Sequence, residues 1–355
     1  MRSLFLSILF LLILAGSGSA QVETRWIDSS NYGDHDMGYF FTNRPLKNTS
    51  DSVVTFRNRW TRQTRNLYFC LYDYEEESII IKYQANKTCF KREYPTEPVP
   101  DNIFYTVYED LRLKRGIQNF IFVVPGYAKT FEKQLNDFMF RLDKTYEDTL
   151  HHKTAIIMFA WGDQSVSQFY HKGKRSANRA ANDFAIFQHM LEDFVTDSAF
   201  FAEHPRDVAF SLVCTSMGNQ MLKRYMIKRE KQGIDLVPVY DRVIFIGSDA
   251  ANDSFEEGKG FHNLTQMTDR VTILINRKDG PLTMSQYMNI KFRMGRVGPT
   301  NLDELPENVQ VWDITGMINW EDLPAMGHDY LLRNSAIRDS LIHRELEFQE
   351  IKFQE

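Results

Sequence analysis

From Asn119 onward the chain alternates short, continuously apolar runs with stretches of helical period, and this alternation leaves few folds open. "NFIFVVPGY", "TAIIMFAWG", "DVAFSLVC", "DRVIFIGSDA", "DRVTILINRKDG" and "NVQVWDITG" each read as a strand without polar alternation, so both faces are buried. Between them Phe131, Leu135, Phe138 and Leu142 recur at helical spacing. Ala180, Phe184, Phe187, Met190, Leu191 and Phe194 do the same inside a helix predicted over Ser176–Val195. A further helix is predicted over Gly218–Lys231, and a last one from about Tyr330. Apolar strands separated by helices pack as a mainly parallel, doubly wound α/β sheet covered on both faces. In such sheets ligands sit at the C-terminal ends of the strands.

The residues before this pattern differ in kind. "MRSLFLSILFLLILAGSGSA" has Arg2 ahead of an apolar run from Leu4 to Leu14 and ends in Gly18-Ser19-Ala20. It reads as a signal peptide over residues 1–20, cleaved after Ala20, which predicts export and no membrane span in the mature chain. Residues 21–100 are rich in β-formers: "SVVTFRNRW", "NLYFCLYDY" and "SIIIKYQ" read as strands, and "YPTEPVPDN" as a connector. The sequence leaves open whether this β-rich N-terminal segment is a small domain or the leading antiparallel strands of a larger sheet formed with residues 101–355. Export permits a disulfide, and Cys70–Cys89 with Cys214 buried and free is the simplest pairing; unrelated thiols are the alternative.

Composition excludes some functions. A formal net charge of -5 leaves no basic excess for a nucleic-acid partner. The cluster Lys172-Gly173-Lys174-Arg175 reads as solvated surface. No CxxC or HxxxH pair suggests a metal, and no cofactor is implied. Asn48, Asn86, Asn252 and Asn263 begin N-x-Ser/Thr sequons, which matter only in a glycosylating source.

The chemistry concentrates at strand ends. Ser216 follows an apolar strand and precedes a helix in "SLVCTSMGNQ". A serine hydroxyl is a weak nucleophile and needs a base in reach and donors for the developing oxyanion. A strand–turn–helix elbow lifts the hydroxyl off the sheet and requires small residues two before and two after it, here Cys214 and Gly218. Taken alone, such a serine also serves as an ordinary N-cap. "VVPGY" supplies a second loop whose Tyr127 N–H pairs with that of Met217 as an oxyanion hole. Asp249 and Asp279 each follow a later strand, and Asp279 is favoured as the acid because its strand lies two after the serine's. His328 alone among nine histidines lies after the last strand and before the terminal helix. Trp161, Phe169, Tyr170, Met317 and Trp320 fall in loops and are candidates for an apolar acyl pocket.

Six blocks in this order, "FVVPGYAKTFEKQLNDFMFRL", "AIIMFAWGDQSVSQFY", "SLVCTSMGNQML", "VIFIGSDAANDSF", "ILINRKDGPLTMS" and "GHDYL", resemble a poorly characterised esterase/lipase-like branch of the α/β-hydrolase superfamily. The resemblance runs from about Asn119 to Leu332. It implies a carboxylic-ester hydrolase with Ser216 as nucleophile, His328 as base and an Asp behind it, acting on a small-molecule or acyl-ester substrate. Members of that branch usually carry His-Gly where this chain has Pro125-Gly126, and His before the serine where it has Thr215. A non-catalytic exported binding protein that keeps the fold and recognises a glycan or peptide is the alternative. Substrate, acyl-chain preference and oligomeric state are not encoded legibly.

Overall fold

The structure is a computed structural model that describes residues 22–26, 37–48, 54–57, 66–87, 98–127, 129–143, 153–162, 170–318 and 327–342. The proposed signal segment, residues 1–20, lies outside them. The strands are β1 (Val22–Trp26), β2 (Met37–Thr42), β3 (Leu46–Asn48), β4 (Thr55–Phe56), β5 (Asn66–Asp73) and β6 (Ser78–Lys87), then β7 (Asn119–Val124), β8 (Thr154–Ala160), β9 (Ala209–Thr215), β10 (Tyr240–Ile246), β11 (Thr268–Ile275) and β12 (Val309–Asp313). Ten of these form one sheet in the order β1-β6-β5-β2-β8-β7-β9-β10-β11-β12, and β3 pairs only with β4.

Every pairing from β2 through β12 across the sheet is parallel, whereas β2–β5, β5–β6 and β6–β1 are antiparallel. The N-terminal strands therefore extend the α/β sheet edge to edge. Alternating side chains feed two apolar layers. Phe120, Phe122 and Val124 of β7 join one layer, Ile121 and Val123 the other. On β5, Leu67, Phe69 and Leu71 enter the first layer, and Tyr68, Cys70 and Tyr72 the second.

Helices cover both faces. Tyr170–Thr196 and Gly218–Lys231 pack on the first layer, and the segment from Phe131 to Asp143 on the second. Tyr170–Thr196 starts six residues before the predicted helix, and its inward set matches the predicted spacing. The terminal helix is two short pieces, Tyr330–Arg333 and Ser335–Ile342. A helix over Ile103–Tyr108 was legible but not expected: Asn102 caps the Phe104 N–H, and Ile103, Phe104, Val107 and Leu111 line one face.

The Cys70–Cys89 bridge is not formed, since Cys70 is a free, buried thiol. The register explains why. Cys70 pairs with Ile81, and β6 runs on to Lys87, which carries the chain about 20 Å farther along the sheet. Two more residues to Cys89, itself outside the described residues, recover at most ~7 Å, and a disulfide needs Cα atoms within ~7 Å. Among the described residues no helix is long and apolar enough to cross a membrane.

Candidate active site

Because β7, β9, β10 and β11 run parallel, their C-terminal ends share one edge, and four loops converge there. Ser216, one residue past β9, has φ of +49°, a left-handed conformation that costs a non-glycine residue about 1 kcal/mol or more. The strain is held by specific bonds. The Ser216 N–H donates to the Ile246 carbonyl at 2.8 Å, and the Ser216 carbonyl accepts the Asp249 N–H at 3.1 Å. The Asn219 side-chain amide adds bonds to the Cys214 and Ser216 carbonyls at 2.9 and 3.0 Å.

The small residues around Ser216 are obligatory. A Cβ on Gly218 would lie 2.4 Å from the Val124 carbonyl oxygen, so only glycine lets the helix start against β7. A Cβ on Gly126 would lie 2.8 Å from the Ser216 Cβ, which puts the Pro125–Tyr127 loop directly over the serine side chain. Cys214 is fully buried, and burial pushes its thiol pKa up, so it stays protonated and serves as a small apolar residue. The Met217 residue caps the helix Gly218–Lys231, and no hydrogen bond of the described residues uses its N–H. The Tyr127 ring packs against Gly173 and edge-on to Tyr170.

Asp279 and His328 meet. Asp279 Oδ2 lies 2.6 Å from His328 Nδ1, while Oδ1 accepts the Leu282 N–H at 2.8 Å as N-cap of the helix Gly280–Asn289. Gly280-Pro281 after Asp279 suits a helix start, because proline needs no N–H there. Asp279 is fully buried. The Asn276 side chain, buried at the end of β11, donates to the Gly327 carbonyl at 3.0 Å and fixes the approach to His328. Burial alone disfavours the charged imidazole, but the Asp279 charge and hydrogen bond outweigh it, with smaller help from Asp329 and Asp249. The His328 pKa is raised above the ordinary value. The ring lies over Gly247, whose added Cβ would stand 3.2 Å from His328 Cε1. Gly247 follows the Ile246 carbonyl that anchors Ser216, so ring and elbow are neighbours on the edge. The hydrogen bonds of the described residues include none between the Ser216 hydroxyl and the His328 ring.

Asp249 is engaged elsewhere. Tyr170 donates to its Oδ2 at 2.7 Å, Ser285 to its Oδ1, and Arg293 Nε stands 3.7 Å from Oδ1. Burial raises its pKa, against the pull of Arg293 and of the Ser285 and Tyr170 hydroxyls. Of the aromatic and Met residues expected to line a pocket, Trp161 is fully buried and donates Nε1–H to the Pro125 carbonyl at 2.8 Å. It holds the Pro125–Tyr127 loop in place rather than offering a surface to an acyl chain. Tyr170 belongs to the Asp249 cluster, Met317 packs on the second apolar layer, and Phe169 and Trp320 lie outside the described residues.

Sequence reasoning missed the clamps Asn219 and Asn276, and it gave Trp161 to an acyl pocket where the structure makes it a clamp on the Pro125–Tyr127 loop. Each is a polar or aromatic residue directly after an apolar strand or elbow, a signal that was available for all three. Among the described residues no group of three or more His, Cys, Asp or Glu side chains is arranged to hold a metal ion.

The solved structures similar to this chain include a lipase-esterase related protein from Clostridium acetobutylicum ATCC 824, at 13% identity and a TM-score of 0.31, covering 64% of this chain and 93% of that one. RedJ with a PEG molecule bound in its active site matches at 14% identity and 0.29, covering 70% and 92%. An esterase/lipase from an uncultured bacterium matches at 12% and 0.23, covering 55% and 66%. Scores this low carry no argument about activity. No curated protein matches. A family model matches residues 105–345, more than half of the chain, and on that ground the protein belongs to the family described as "Alpha/beta hydrolase of unknown function (DUF900)".

Proposed function

We propose that the protein is an exported serine hydrolase of carboxylic esters. The observation that carries this reading is the buried Asp279 carboxylate 2.6 Å from His328 Nδ1, on the strand edge where Ser216 sits in a strained elbow. A carboxylate on Nδ1 fixes the tautomer that leaves Nε2 free to accept a proton. Ser216 Oγ attacks the acyl carbon as His328 takes its proton. The oxyanion receives the Met217 and Tyr127 N–H groups. His328 then protonates the departing alcohol, and water repeats the sequence to release the acid.

A second reading has one observation in its favour: no hydrogen bond joins the Ser216 hydroxyl to the His328 ring, as in a fold kept for binding a glycan or peptide. Apo enzymes often show the same looseness. A fluorophosphonate probe separates the two. The hydrolase reading expects covalent labelling at Ser216, abolished in Ser216→Ala, with ester hydrolysis reduced at least ~10³-fold. An unlabelled, folded protein would favour the binding module. Export is tested separately, by sequencing the N-terminus of secreted material, which should begin near Gln21.

A further inference from the structure

Among the described residues, six large apolar side chains are exposed, and five of them fall within nine positions: Met284, Tyr287, Met288, Ile290 and Phe292. Met284, Tyr287 and Met288 stand at i, i+3 and i+4 on the helix Gly280–Asn289, so they share one outward face. Ile290, 94% exposed, projects from the helix's C-cap with φ of +51°. A β-branched residue is poorly suited to that conformation, where Gly or Asn is usual. Folding therefore gains nothing from this side chain, which is both strained and fully in water.

Cations collect beside this face. Lys174 donates to Asn289 at the end of the helix, Lys291 pairs with Asp253, and the Asn252 N–H donates to the Phe292 carbonyl. Lys223 is pushed down to about 8 by burial, with Lys174, Lys291 and Arg293 adding to the fall against Asp253. Lys223, Lys259 and Lys291 thus surround Asp253, with Lys174 beside them, while Arg293 and Asp249 form a buried pair that adds no surface charge, in a chain whose overall charge is -5. Glu256 and Glu257 lie farther along the loop, next to Lys259. The apolar patch is on the order of 500 Å², short of the ~800 Å² per partner of a stable protein interface. A protruding, Met-rich apolar strip with excess positive charge at its end has the character of a surface that enters the headgroup layer of a bilayer.

We propose that Met284–Phe292 seats the protein on an anionic lipid surface. The helix carrying the strip begins at its cap Asp279, which contacts His328, so the strip and the His328 edge are joined by about three turns of helix. Taken with the ester-hydrolase reading, on which this clause rests, the substrates are acyl esters presented at that surface. The docking itself is independent of that reading.

Cosedimentation of the full-length protein with phosphatidylcholine vesicles containing about 30 mol % phosphatidylserine tests it. Residues 1–20 are common to every variant, so differences report the strip. Tyr287→Ser/Phe292→Ser should lower partitioning at least ~10-fold, and Lys291→Gln/Lys259→Gln about threefold, with weaker binding in high salt. Ile290→Asn is the decisive variant. It should weaken binding several-fold while raising the melting temperature by about 1–3 °C, which damage to the fold cannot do. Ser216→Ala should partition like the parent, so failure of probe labelling would end the hydrolase reading and leave docking intact. Unchanged partitioning of the strip variants overturns the proposal. So does light scattering that finds a dimer which Ile290→Asn converts to a monomer, because a second copy would then own the face.

Discussion

Two buried aspartates end neighbouring parallel strands, and the contrast between them defines the site. Asp279 follows β11 and Asp249 follows β10, and both are almost inaccessible. Asp279 spends one oxygen on the Leu282 N–H and leaves the other for His328. Asp249 has both oxygens taken, by Tyr170 and by Ser285 beside Arg293, and its backbone N–H holds the Ser216 carbonyl. One acid is aimed at a titrating partner and the other is tied into the body of the fold. A strand-end carboxylate reaches an imidazole across the edge only when the local structure leaves an oxygen aimed there.

The largest effect that tests this contrast is on rate. Asp279→Asn should lower kcat/KM by ~10³–10⁴-fold, because the amide removes the charge behind His328 and permits the wrong tautomer. The melting temperature should move little, since the asparagine still caps the helix. A variant retaining a tenth of wild-type rate would break the assignment.

Asp249→Asn should do the reverse. Removing the carboxylate of a buried pair leaves Arg293, 1% exposed, with the Asp249 backbone carbonyl but no charged partner there, a loss of about 3 kcal/mol measured by denaturant unfolding. The rate per folded molecule should fall less than ~10-fold. A rate loss matching that of Asp279→Asn would make the two acids equivalent and the contrast false.

The pH profile sharpens the comparison. His328 acts as a base only when neutral, and its pKa is raised, so the acid limb of kcat/KM should lie above the ~6.5 of a free histidine. In Asp279→Asn burial remains without the compensating charge, and the limb should move below that value. The stability contribution has the matching sign. It is full below the unfolded pKa and is lost as pH rises through the raised folded one. A limb that stays in place in Asp279→Asn would show that Asp279 does not act on His328.

The smallest effect concerns the elbow shared by both halves. Ser216→Gly should stabilise the fold by about 0.5–1 kcal/mol, because glycine adopts φ of +49° without strain, while hydrolysis is lost. An elbow variant that is no more stable would mean that the bonds from Ile246 and Asp249 do not restrain a strained residue.

Much of this was legible locally. Continuous apolar runs marked β7 to β11 as strands buried over most of their length, and β12 as a strand that the fold places at the sheet edge with Val309 and Trp312 buried, because period and hydrophobicity are properties of a short stretch. Ser216 between Cys214 and Gly218, and His328 after the last strand, were readable for the same reason. What the sequence left open is non-local. Whether β1, β2, β5 and β6 join the main sheet depends on edge pairing between residues more than 100 positions apart, such as Tyr39 with Ile157. The Cys70–Cys89 pairing failed at Cys70, a free thiol that the register, which no composition reveals, sets opposite Ile81, six residues before the end of β6. Which of Asp249 and Asp279 meets His328 turned on Tyr170, Ser285 and Arg293 in one case and His328 in the other. The sequence determined which residue types stand at the strand ends. Only the tertiary structure decided which of them face one another, because hydrogen bonds at 2.6 Å depend on chain segments brought together from far apart.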